Sequence, residues 1–519
     1  MDKKMNRRSF LQKGAALTAG ITIVPGMVMG KKFGYTAPSD KLNIAGIGVG
    51  GMGNANLGEV KNTENIVALC DVDWKYSAGV FGNYPNAKKY KDWRVMYDEM
   101  GKSIDGIIVA TADHTHAIIA ATAITMGKHT YVQKPLTHSV YESRLLTKLA
   151  DKYKVATQMG NQGSSGEGVN RIVEWISAGL IGEITKVEAF TDRPIWPQGL
   201  NTPKNGQWVP ETLDWDLFTG PAEMRPFNEI YHPWNWRGWW SYGTGALGDM
   251  ACHILHPVFV GLQLGYPTKV TGSSTMLLNN CAPTAQSVKL TFPARPTPKN
   301  SKVKFPEVDV YWTDGGIKPM LPEGWPDGKD PNDDGGYVCF HGTKDKIICG
   351  CYGVRPWLLS KPELRETRKR EGDSRRMVDK SMAELDAMYP KVPKLCRRIE
   401  VSHEMDWVRA CKESSENRVK TASDFSEAGP FNEMVVMGVL AVRMQGLNKV
   451  LNWNGEKMEF TNLTDSERIR SVVEDKFSIK DGHPTFDKDY TPAVPAKEFA
   501  AELIKHTYHN GWSLPAMPM

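Results

Sequence analysis

Three residues have the types and the spacing needed for acid–base chemistry at an alcohol group. The sequence Gln133-Lys134-Pro135 directly follows a predicted strand, His129–Val132, so Lys134 lies near the end of that strand. A lysine ammonium there can hydrogen-bond a substrate hydroxyl and stabilise negative charge on its oxygen. Asp249 and His253 are four residues apart, so on a helix they share one face. We expect Asp249 to orient His253, and His253 to accept the hydroxyl proton.

Simpler interpretations of these residues remain open. A lysine that follows a strand is more often an exposed surface residue than a catalytic one. An Asp–His pair at this spacing can simply stabilise its helix. The pair also lacks the further ligands that a zinc site needs, and the motif His-Glu-x-x-His is absent. The sequence therefore predicts no metal at this site.

A glycine-rich turn near the start of the chain has the pattern of a dinucleotide-binding site. The apolar run Leu42–Ala45 leads directly into Gly46-x-Gly48-x-x-Gly51. Glycines at these spacings let the backbone approach a pyrophosphate closely, and the N–H groups of a following helix can bind its phosphates. A second apolar run ends at Asp71, 20 residues after Gly51. An acid there binds the ribose hydroxyls of NAD and repels the phosphate of NADP.

NAD is therefore the expected cofactor, and NADP is less favoured, although Lys75 lies close enough in sequence to meet a phosphate. A glycine turn without any ligand is the other interpretation. Further cofactor contacts are expected from residues that follow the glycines or the later strands: Met52, Thr111, His114, His116 and Gln162. Such positions also suit helix caps and turns, so both interpretations stay open.

A segment rich in tryptophan precedes the predicted Asp–His helix. Residues 231–240 contain four tryptophans and one arginine. Flat aromatic faces suit the apolar faces of sugar rings, and a guanidinium can bind hydroxyl or carboxylate groups. We expect Trp236, Arg237 and Trp239 to bind a carbohydrate substrate, although ordinary packing explains any single tryptophan equally well.

The elements that must position these residues alternate between strands and helices over residues 42–160. This alternation predicts a parallel sheet with helices on both faces, which binds ligands at the carboxyl ends of its strands. The predicted strands are Leu42–Ala45, Ile66–Cys70, Gly106–Ala110, His129–Val132 and Val155–Met159. The clearest predicted helices are His116–Met126 and Ser139–Tyr153.

After residue 160 the pattern becomes that of a second, different sheet. Alternating runs predict strands at 185–190, 268–276, 286–292, 306–312 and 346–352. Helical patterns cover Gly168–Ser177, Glu404–Glu413 and Pro430–Gln445. Pro322–Gly336 is predicted to be a loop because it is rich in proline, glycine and aspartate. The charged stretch Lys361–Arg376 fits a solvated helix or a surface loop.

The N-terminal segment has the features of an export signal. Asn6–Lys13 looks like a twin-arginine signal, and the apolar stretch Gly14–Met29 follows it. These 16 residues are short for a membrane span, which needs roughly 20. We expect a periplasmic protein that is exported folded and has no stable membrane insertion after processing; an uncleaved anchor is the alternative.

The basic charge of the chain is concentrated in this segment. The formal net charge is +5 at pH 7 and residues 1–32 contribute +6, so the remainder carries −1. We therefore expect no nucleic-acid partner, because a basic surface is missing. Eight cysteines in 519 residues also exclude a disulfide-stabilised scaffold.

Together these motifs resemble the glucose–fructose oxidoreductase / inositol dehydrogenase (Gfo/Idh/MocA) family. The glycine turn with Asp71 matches its nucleotide motif, and Asp249 with His253 matches its Asp-x-x-x-His pair. Gln133 and Lys134 match its Glu-Lys-Pro motif, except that Gln133 replaces a glutamate and so removes a negative charge beside the lysine. The resemblance implies Lys134, Asp249 and His253 as the catalytic set, and a homo-oligomer.

The resemblance also implies an α/β fold, in which a Rossmann domain precedes a C-terminal α+β domain with a large, open, mostly antiparallel sheet. The predicted divisions are a signal segment (1–33), a Rossmann NAD-binding domain (41–160), a substrate and oligomerisation domain (161–490) and a C-terminal extension (491–519).

The resemblance and the predicted export together imply an oxidoreductase with a tightly held, non-dissociating NAD, since free NAD is not expected outside the cytoplasm. The leading hypothesis is oxidation of a carbohydrate ring hydroxyl, at C3 of a glycoside, to a 3-keto sugar. One alternative is an NAD-dependent glycosidase that oxidises C3 transiently, eliminates the leaving group, adds water and re-reduces C3. The other is a non-catalytic sugar-binding protein that retains NAD as a structural group.

Overall fold

The computed structural model describes residues 40–365 and 387–518, in which two large sheets are covered by helices. The predicted export signal, residues 1–33, lies outside the described residues, and so does the 366–376 part of the charged stretch. Within the described ranges, no helix combines the length and the apolar composition that a membrane span requires.

Six parallel strands form the first sheet: β1 (Asn43–Ile47), β2 (Asn65–Cys70), β3 (Lys88–Tyr90), β4 (Gly106–Val109), β5 (His129–Gln133) and β6 (Thr157–Gly160). Their order, β3-β2-β1-β4-β5-β6, is that of a Rossmann fold. The helices of this part are α1 (Met52–Val60), α2 (Ala78–Asn83), α3 (Trp93–Met100), α4 (Asp113–Thr125) and α5 (Val140–Tyr153). Each of the five predicted strands overlaps an observed one.

Local sequence signals explain where these elements begin. The predicted helix at 139–153 starts as expected because Ser139 and Glu142 form a capping box that satisfies free N–H groups of the first turn. The Ser139 side chain accepts from the Glu142 N–H, and the Glu142 side chain accepts from the Ser139 N–H. The short edge strand β3 has no counterpart in the sequence prediction, since it has only three residues, two of them exposed lysines.

A nine-stranded sheet forms the core of the second part. Its strands are β7 (Ile184–Thr191), β8 (Lys269–Ser274), β9 (Gln286–Phe292), β10 (Val308–Thr313), β11 (Gly336–Gly342), β12 (Lys346–Gly350), β13 (Trp357–Leu358), β14 (Leu451–Asn454) and β15 (Glu459–Phe460). The order is β13-β12-β11-β7-β10-β9-β8-β14-β15, and only β7 and β10 pair in parallel. The predicted fold class is therefore confirmed: a Rossmann domain followed by a domain with a large, mostly antiparallel sheet.

Strand β11 begins at Gly336, where the predicted loop Pro322–Gly336 ends, and the sequence prediction missed it. Its first five residues are all buried. A strand that is buried on both faces lacks the alternation by which strands are recognised in a sequence.

The second part contributes seven helices to the described residues: α6 (Glu167–Ser177), α7 (Trp215–Thr219), α8 (Gly245–Ile254), α9 (His256–Gly261), α10 (His403–Cys411), α11 (Phe425–Arg443) and α12 (Ala496–Ile504). Helix α11 packs against both α5 and the nine-stranded sheet, so one apolar core continues between the two parts. Two small pairs of strands complete the chain: β16 (Arg468–Ile469) with β19 (Val494–Pro495), and β17 (Val472–Lys480) with β18 (His483–Tyr490).

Helix α10 lies far along the chain but packs on the Rossmann sheet. The ring of Trp407 covers Gly106 of β4, where an added Cβ would lie 2.9 Å from the ring. Its indole N–H donates to the carbonyl oxygen of Ala156 at 3.4 Å. Trp407 belongs to the same buried apolar cluster as Ile44 and Leu57. Helix α10 of the second part thus completes the core of the first.

Candidate active site

A cleft of about 300 Å³ lies at the carboxyl ends of the Rossmann strands and is bounded on its other side by the second domain. Its walls include the glycine turn, Asp71 and Lys134 from the first domain, and Asp249 and His253 from the second. Residues that are distant in the sequence therefore meet where a doubly wound sheet binds its ligands.

The glycine turn presents bare backbone to this cleft. Gly48 has φ +76°, and a Cβ there would lie 2.6 Å from the carbonyl oxygen that follows β4. Gly51 and Met52 line the cleft at the start of α1, where no side chain caps the N–H groups of the first turn. Gly46 instead faces Leu57 of α1, where a Cβ would lie 3.0 Å away, so it allows the helix to pack on the strand. This cradle fits the pyrophosphate of NAD.

Asp71 lies at the end of β2 and lines the same cleft. One carboxylate oxygen accepts the N–H groups of Val49 and Gly50 at 2.9 and 3.0 Å, and the other accepts the N–H of Asp73 at 3.0 Å. Burial raises the pKa of Asp71 to about 6, and the hydrogen bonds from these backbone N–H groups partly offset that rise. The carboxylate is placed between the glycine turn and the position that a ribose takes in this fold.

A segment of the second domain, residues 212–234, covers this end of the cleft, and we call it the clasp. Two backbone hydrogen bonds, of 2.9 and 3.1 Å, join residues 212–214 to residues 72–74. His232 Nε2 lies 3.0 Å from Asp73 Oδ2. Leu217, Phe218 and Trp234 of the clasp line the cleft. The clasp therefore attaches directly to the strand end that carries Asp71.

Lys134 lies in the turn after β5. Asn432 on α11 holds this turn by accepting the N–H of Leu136 at 3.0 Å. The Lys134 ammonium donates to Asp249 Oδ1 at 2.9 Å, and Arg237 Nε donates to the same oxygen at 3.0 Å. Two cations thus converge on one carboxylate at the junction of the two domains.

These contacts correct the predicted role of Asp249. Burial alone would raise the pKa of this carboxyl, but the positive charges of Lys134 and Arg237 hold it well below its usual range. The carboxylate bonds these two cations, and no hydrogen bond to His253 is formed among the described residues. Asp249 and His253 do share one face of helix α8. The carboxylate nevertheless pairs with Lys134 and Arg237, because their positive charges attract it more strongly than a neutral imidazole does.

His253 is held from a different direction. Its Nδ1 lies 3.1 Å from Oδ1 of Asn161, which follows β6, so Nδ1 carries the hydrogen and Nε2 is the basic nitrogen. The ring of Tyr352 lies against the imidazole, with 4.5 Å between centroids. Burial, and then the charge of Lys134, holds the pKa of His253 well below its usual value. The imidazole is therefore neutral at pH 7 and can accept a proton.

A buried polar chain lies beneath Lys134 and explains the unusual glutamine. The amide of Gln133 donates to Asn56 at 2.9 Å, and Asn56 donates to Glu404 of α10 at 2.7 Å. The Tyr131 hydroxyl also donates to Glu404, at 3.1 Å, and Gln162, which lines the cleft, donates to it at 3.4 Å. A glutamate at position 133 would bring a second negative charge into this chain.

The predicted cofactor residues that follow β4 behave differently from one another. Thr111 and His114 line the cleft, although Nε2 of His114 is committed to the carbonyl oxygens of Phe218 and Thr219 at 3.0 and 3.2 Å. His116 does not line the cleft, so its predicted cofactor contact is wrong. Its two ring nitrogens lie 2.8 and 3.1 Å from backbone carbonyl oxygens, which fixes the turns after β4 and β5.

The tryptophan-rich segment contributes two of its three predicted substrate residues. Trp236 and Arg237 line the cleft, and Arg237 lies over the ring of Trp236 at 4.3 Å. Trp239 is fully buried, packs against Tyr231 with 4.8 Å between centroids, and lies outside the cleft, so its predicted role is wrong. Trp234, which the prediction passed over, is 46% exposed and lines the cleft instead.

Two further residues of the site were not assigned from the sequence. Asn161 directly follows β6, and its side chain holds His253. Tyr352 lies in a turn after β12 and has φ 65°, an uncommon conformation for a residue other than glycine. The sequence gives no sign that this turn reaches the site, because only the nine-stranded sheet brings it there.

Comparison with known families agrees with this geometry. Residues 42–161 match the model of an oxidoreductase family with an NAD-binding Rossmann fold, and residues 167–292 match the model of its C-terminal α/β domain. The chain belongs to the Gfo/Idh/MocA family. The first match contains Lys134, and the second contains Asp249 and His253.

The curated relatives of this Gfo/Idh/MocA chain include proteins named as glycosidases. One is glycosyl hydrolase family 109 protein 1 of Shewanella sp. (strain ANA-3), 26% identical over 228 residues. Another is the alpha-N-acetylgalactosaminidase of Shewanella oneidensis, 25% identical over 228 residues. Each alignment covers 39% of this chain and 50% of the relative, so the chain spans about half the length of the curated relatives it matches.

Among solved structures, the fold is similar to that of the WlbA dehydrogenase of Bordetella pertussis, solved in complex with NADH and UDP-GlcNAcA. The TM-score is 0.51 and the identity 14%, over 80% of this chain and 99% of that chain. At this identity the likeness concerns the fold.

Proposed function

We propose that this Gfo/Idh/MocA protein holds NAD tightly and oxidises a carbohydrate ring hydroxyl, at C3 of a glycoside, to a 3-keto sugar. One observation carries the proposal: the Lys134 ammonium, the Asp249 carboxylate and the neutral His253 imidazole line the same cleft as Gly48, Gly51 and Asp71. A donor to the substrate oxygen and a proton acceptor are thus placed beside a dinucleotide cradle.

Each residue has a distinct part in such an oxidation. Nε2 of His253 accepts the hydroxyl proton, while Lys134 donates a hydrogen bond to the same oxygen as it becomes a carbonyl. Asp249 fixes the position of Lys134 and offsets its charge. When bound, NAD supplies the oxidant, taking the hydrogen of the alcohol carbon with its electron pair. Asp71 favours NAD over NADP, because its carboxylate would repel a 2′-phosphate.

The cleft offers recognition groups for a carbohydrate. The guanidinium carbon of Arg237 lies 3.8 Å from the ring centroid of Trp234 and 4.3 Å from that of Trp236, and all three residues line the cleft. Aromatic faces pack on the apolar face of a sugar, and a guanidinium binds its oxygens. A small hydroxy acid would leave most of this aromatic surface uncovered.

The clasp supports tight retention of the cofactor. It is bonded to the end of β2 and lines the same cleft as the glycine turn, so we expect the cofactor to leave only after the clasp has moved. A retained cofactor suits the periplasmic location that Arg7 and Arg8 indicate. Exchange of both arginines for lysine, followed by cell fractionation, tests this location: the wild-type protein is expected in the periplasm and the variant in the cytoplasm. Equal amounts in the periplasm would contradict it.

A second function deserves a test because the curated relatives are named as glycosidases. After oxidation at C3, the C2–H bond becomes acidic. Loss of this proton and of the C1 leaving group gives an unsaturated ketone. Addition of water at C1, return of a proton at C2 and reduction at C3 then release the free sugar, with no net redox change. The same His253 and Lys134 would hold the C3 oxygen at both ends of this sequence.

One experiment separates these functions. Native mass spectrometry of the purified protein first establishes whether NAD co-purifies. The protein is then incubated in D₂O with methyl and 4-nitrophenyl glycosides and an electron acceptor. A keto-sugar supports the oxidoreductase, whereas free sugar with deuterium at C2 supports the glycosidase. Sugar binding that survives Lys134→Ala and His253→Ala, without either product, would support a non-catalytic binding protein. The oligomeric state is tested separately: light scattering of the same sample should give a molar mass that is a multiple of the monomer mass if the protein is a homo-oligomer.

A further inference from the structure

A second cavity, of about 230 Å³, adjoins the cofactor cleft and is lined in part by the C-terminal residues of the chain. Trp240 and Arg443 of the second domain line it, together with Phe499 of α12 and His506 beyond that helix. His114 lines both cavities, so its ring forms part of the wall between them. The proposed oxidation uses neither Arg443 nor Trp240.

The guanidinium of Arg443 is a cationic group in this cavity for which the described chain supplies no acceptor. Arg443 ends α11, and its guanidinium carbon lies 5.5 Å from the ring of Trp240 and 5.7 Å from that of Phe499. Among the described residues, no hydrogen bond or ion pair reaches this guanidinium. Burial lowers the pKa of Arg443 to about 10, which Glu502 only partly offsets. The side chain is half-buried, so its guanidinium, which has no acceptor from the described chain, remains available to an anionic ligand in the cavity.

Other polar atoms of the same walls also lack partners. The indole N–H of Trp240, Nδ1 of His114 and Oδ1 of Asn279 are buried and make no hydrogen bond within the described part of the chain. All three residues line the cavity. Because buried polar groups are almost always paired in native proteins, their concentration here points to a polar ligand. Trp240 offers this ligand a donor, whereas Asn279 and His114, whose Nε2 faces carbonyl oxygens, offer acceptors that water or a donor on the ligand can fill.

Three carboxylates line this cavity, those of Glu142, Glu223 and Glu502, and none of them forms an ion pair with Arg443 within the described part of the chain. Glu502 accepts the N–H and the hydroxyl of Thr507 at 2.9 and 2.7 Å. Glu142 accepts the hydroxyl of Tyr508 at 2.8 Å and the N–H groups that cap α5. Both are turned to their own donors, and neither pairs with Arg443. Their charges would repel a doubly charged anion more than a singly charged one.

We infer that this cavity binds a small organic monocarboxylate. The two oxygens of a carboxylate match the donor fork of Arg443, and the indole N–H of Trp240 is a second donor nearby. The rings of Trp240 and Phe499 cover the apolar part of such a ligand. This site is separate from the proposed carbohydrate site, although the two share His114.

The test is isothermal titration calorimetry on the full-length protein with its bound cofactor. The probes are sodium propionate, its neutral analogue propionamide, and sodium phosphate, all at equal ionic strength. We expect saturable binding of propionate, no binding of propionamide and weaker binding of phosphate. Absence of propionate binding, or equal binding of propionamide, would overturn the inference.

Variants locate the binding. Arg443→Gln is expected to weaken propionate binding about tenfold or more, because a charge-assisted hydrogen bond is lost. Trp240→Phe retains an aromatic ring but removes the indole N–H, so it should weaken propionate binding several-fold. This second variant tests the site even if Arg443→Gln folds poorly. Arg470→Gln is the matched control, since Arg470 lies over the ring of Tyr490 at 4.0 Å and outside the cavity. Unchanged affinity in both cavity variants would refute the site.

Discussion

Lys134 donates a hydrogen bond to Asp249 at 2.9 Å across the junction of the two domains. The lysine is fixed by the end of a Rossmann strand, and the aspartate by helix α8 of the second domain. Arg237 shares the same carboxylate oxygen, and all three side chains are largely buried. This arrangement places a cationic hydrogen-bond donor at the cleft with its charge balanced.

Exchange of Asp249 for asparagine is therefore expected to impair both activity and stability. Two buried cations would lose their counter-charge, which costs about 3 kcal/mol of unfolding free energy when one partner of a buried pair is removed. Mispositioned Lys134 should lower turnover by about 100-fold or more. Urea unfolding and the rate of keto-sugar formation measure the two effects. Asp309→Asn, in a partly exposed pair with Lys289, is the control and should have a much smaller effect on both quantities.

The decline in turnover at acidic pH should reflect protonation of the His253 imidazole. Burial and the charge of Lys134 depress its pKa below the usual 6.5, so the basic form persists as the pH falls through that value. We expect turnover of the cofactor-bound enzyme to stay constant around pH 6.5 and to decline only at lower pH. Tyr352→Ala exposes the imidazole, so the decline should move up towards pH 6.5. Tyr153→Ala, at an exposed tyrosine, should leave the profile in place; a limb at pH 6.5 in the wild type would contradict the assignment.

Gly48 cannot accept a side chain without losing the cofactor cradle. In Gly48→Ala the new Cβ would lie 2.6 Å from a backbone oxygen at φ +76°, which costs about 2 kcal/mol or more. NAD content after purification, measured from the released nucleotide, should fall strongly. Gly58→Ala in α1 meets nothing within 4 Å and should retain NAD and gain about 0.5–1 kcal/mol. Normal NAD content in the Gly48 variant would argue against this turn as the binding site.

The clasp should control how slowly NAD leaves. His232→Ala removes the 3.0 Å contact with Asp73, and we expect NAD to dissociate about tenfold faster. Nucleotide loss on dialysis measures this rate. His483→Ala, at the exposed first residue of β18, is the control. A rate that is unchanged in His232→Ala would show that the clasp does not retain the cofactor.

The parts of the site that the sequence predicted are those encoded in short, contiguous patterns. Gly46 to Asp71 lie within one strand–helix–strand unit, and Lys134 directly follows a strand, so local rules place them. The i, i+4 spacing placed Asp249 and His253 on one helix face, but it gave no information on the neighbouring cations. Lys134 and Arg237 arrive from other elements, and they decided which partner Asp249 took.

Burial and long-range pairing account for the remaining errors. Trp236 and Trp239 look alike in the sequence, but only packing against Tyr231 decides that Trp239 is core. His114 and His116 both follow β4, but Nδ1 of His116 lies within hydrogen-bond distance of the carbonyl oxygen of Pro135, so this ring is held away from the cleft. Tyr352 reaches His253 only because β12 pairs with β11, a strand whose buried sequence shows no alternation.

The return of α10 to the Rossmann sheet has a practical consequence for dissection of this protein. A truncation that stops at residue 160 would expose the apolar surface at Gly106 that the indole of Trp407 covers in the full chain. It would also remove Glu404, the hydrogen-bond acceptor of the buried Asn56 amide. Such a fragment is expected to aggregate rather than to behave as a nucleotide-binding module. Chimaeras with related enzymes should therefore carry residues 403–411 from the same parent as the first sheet.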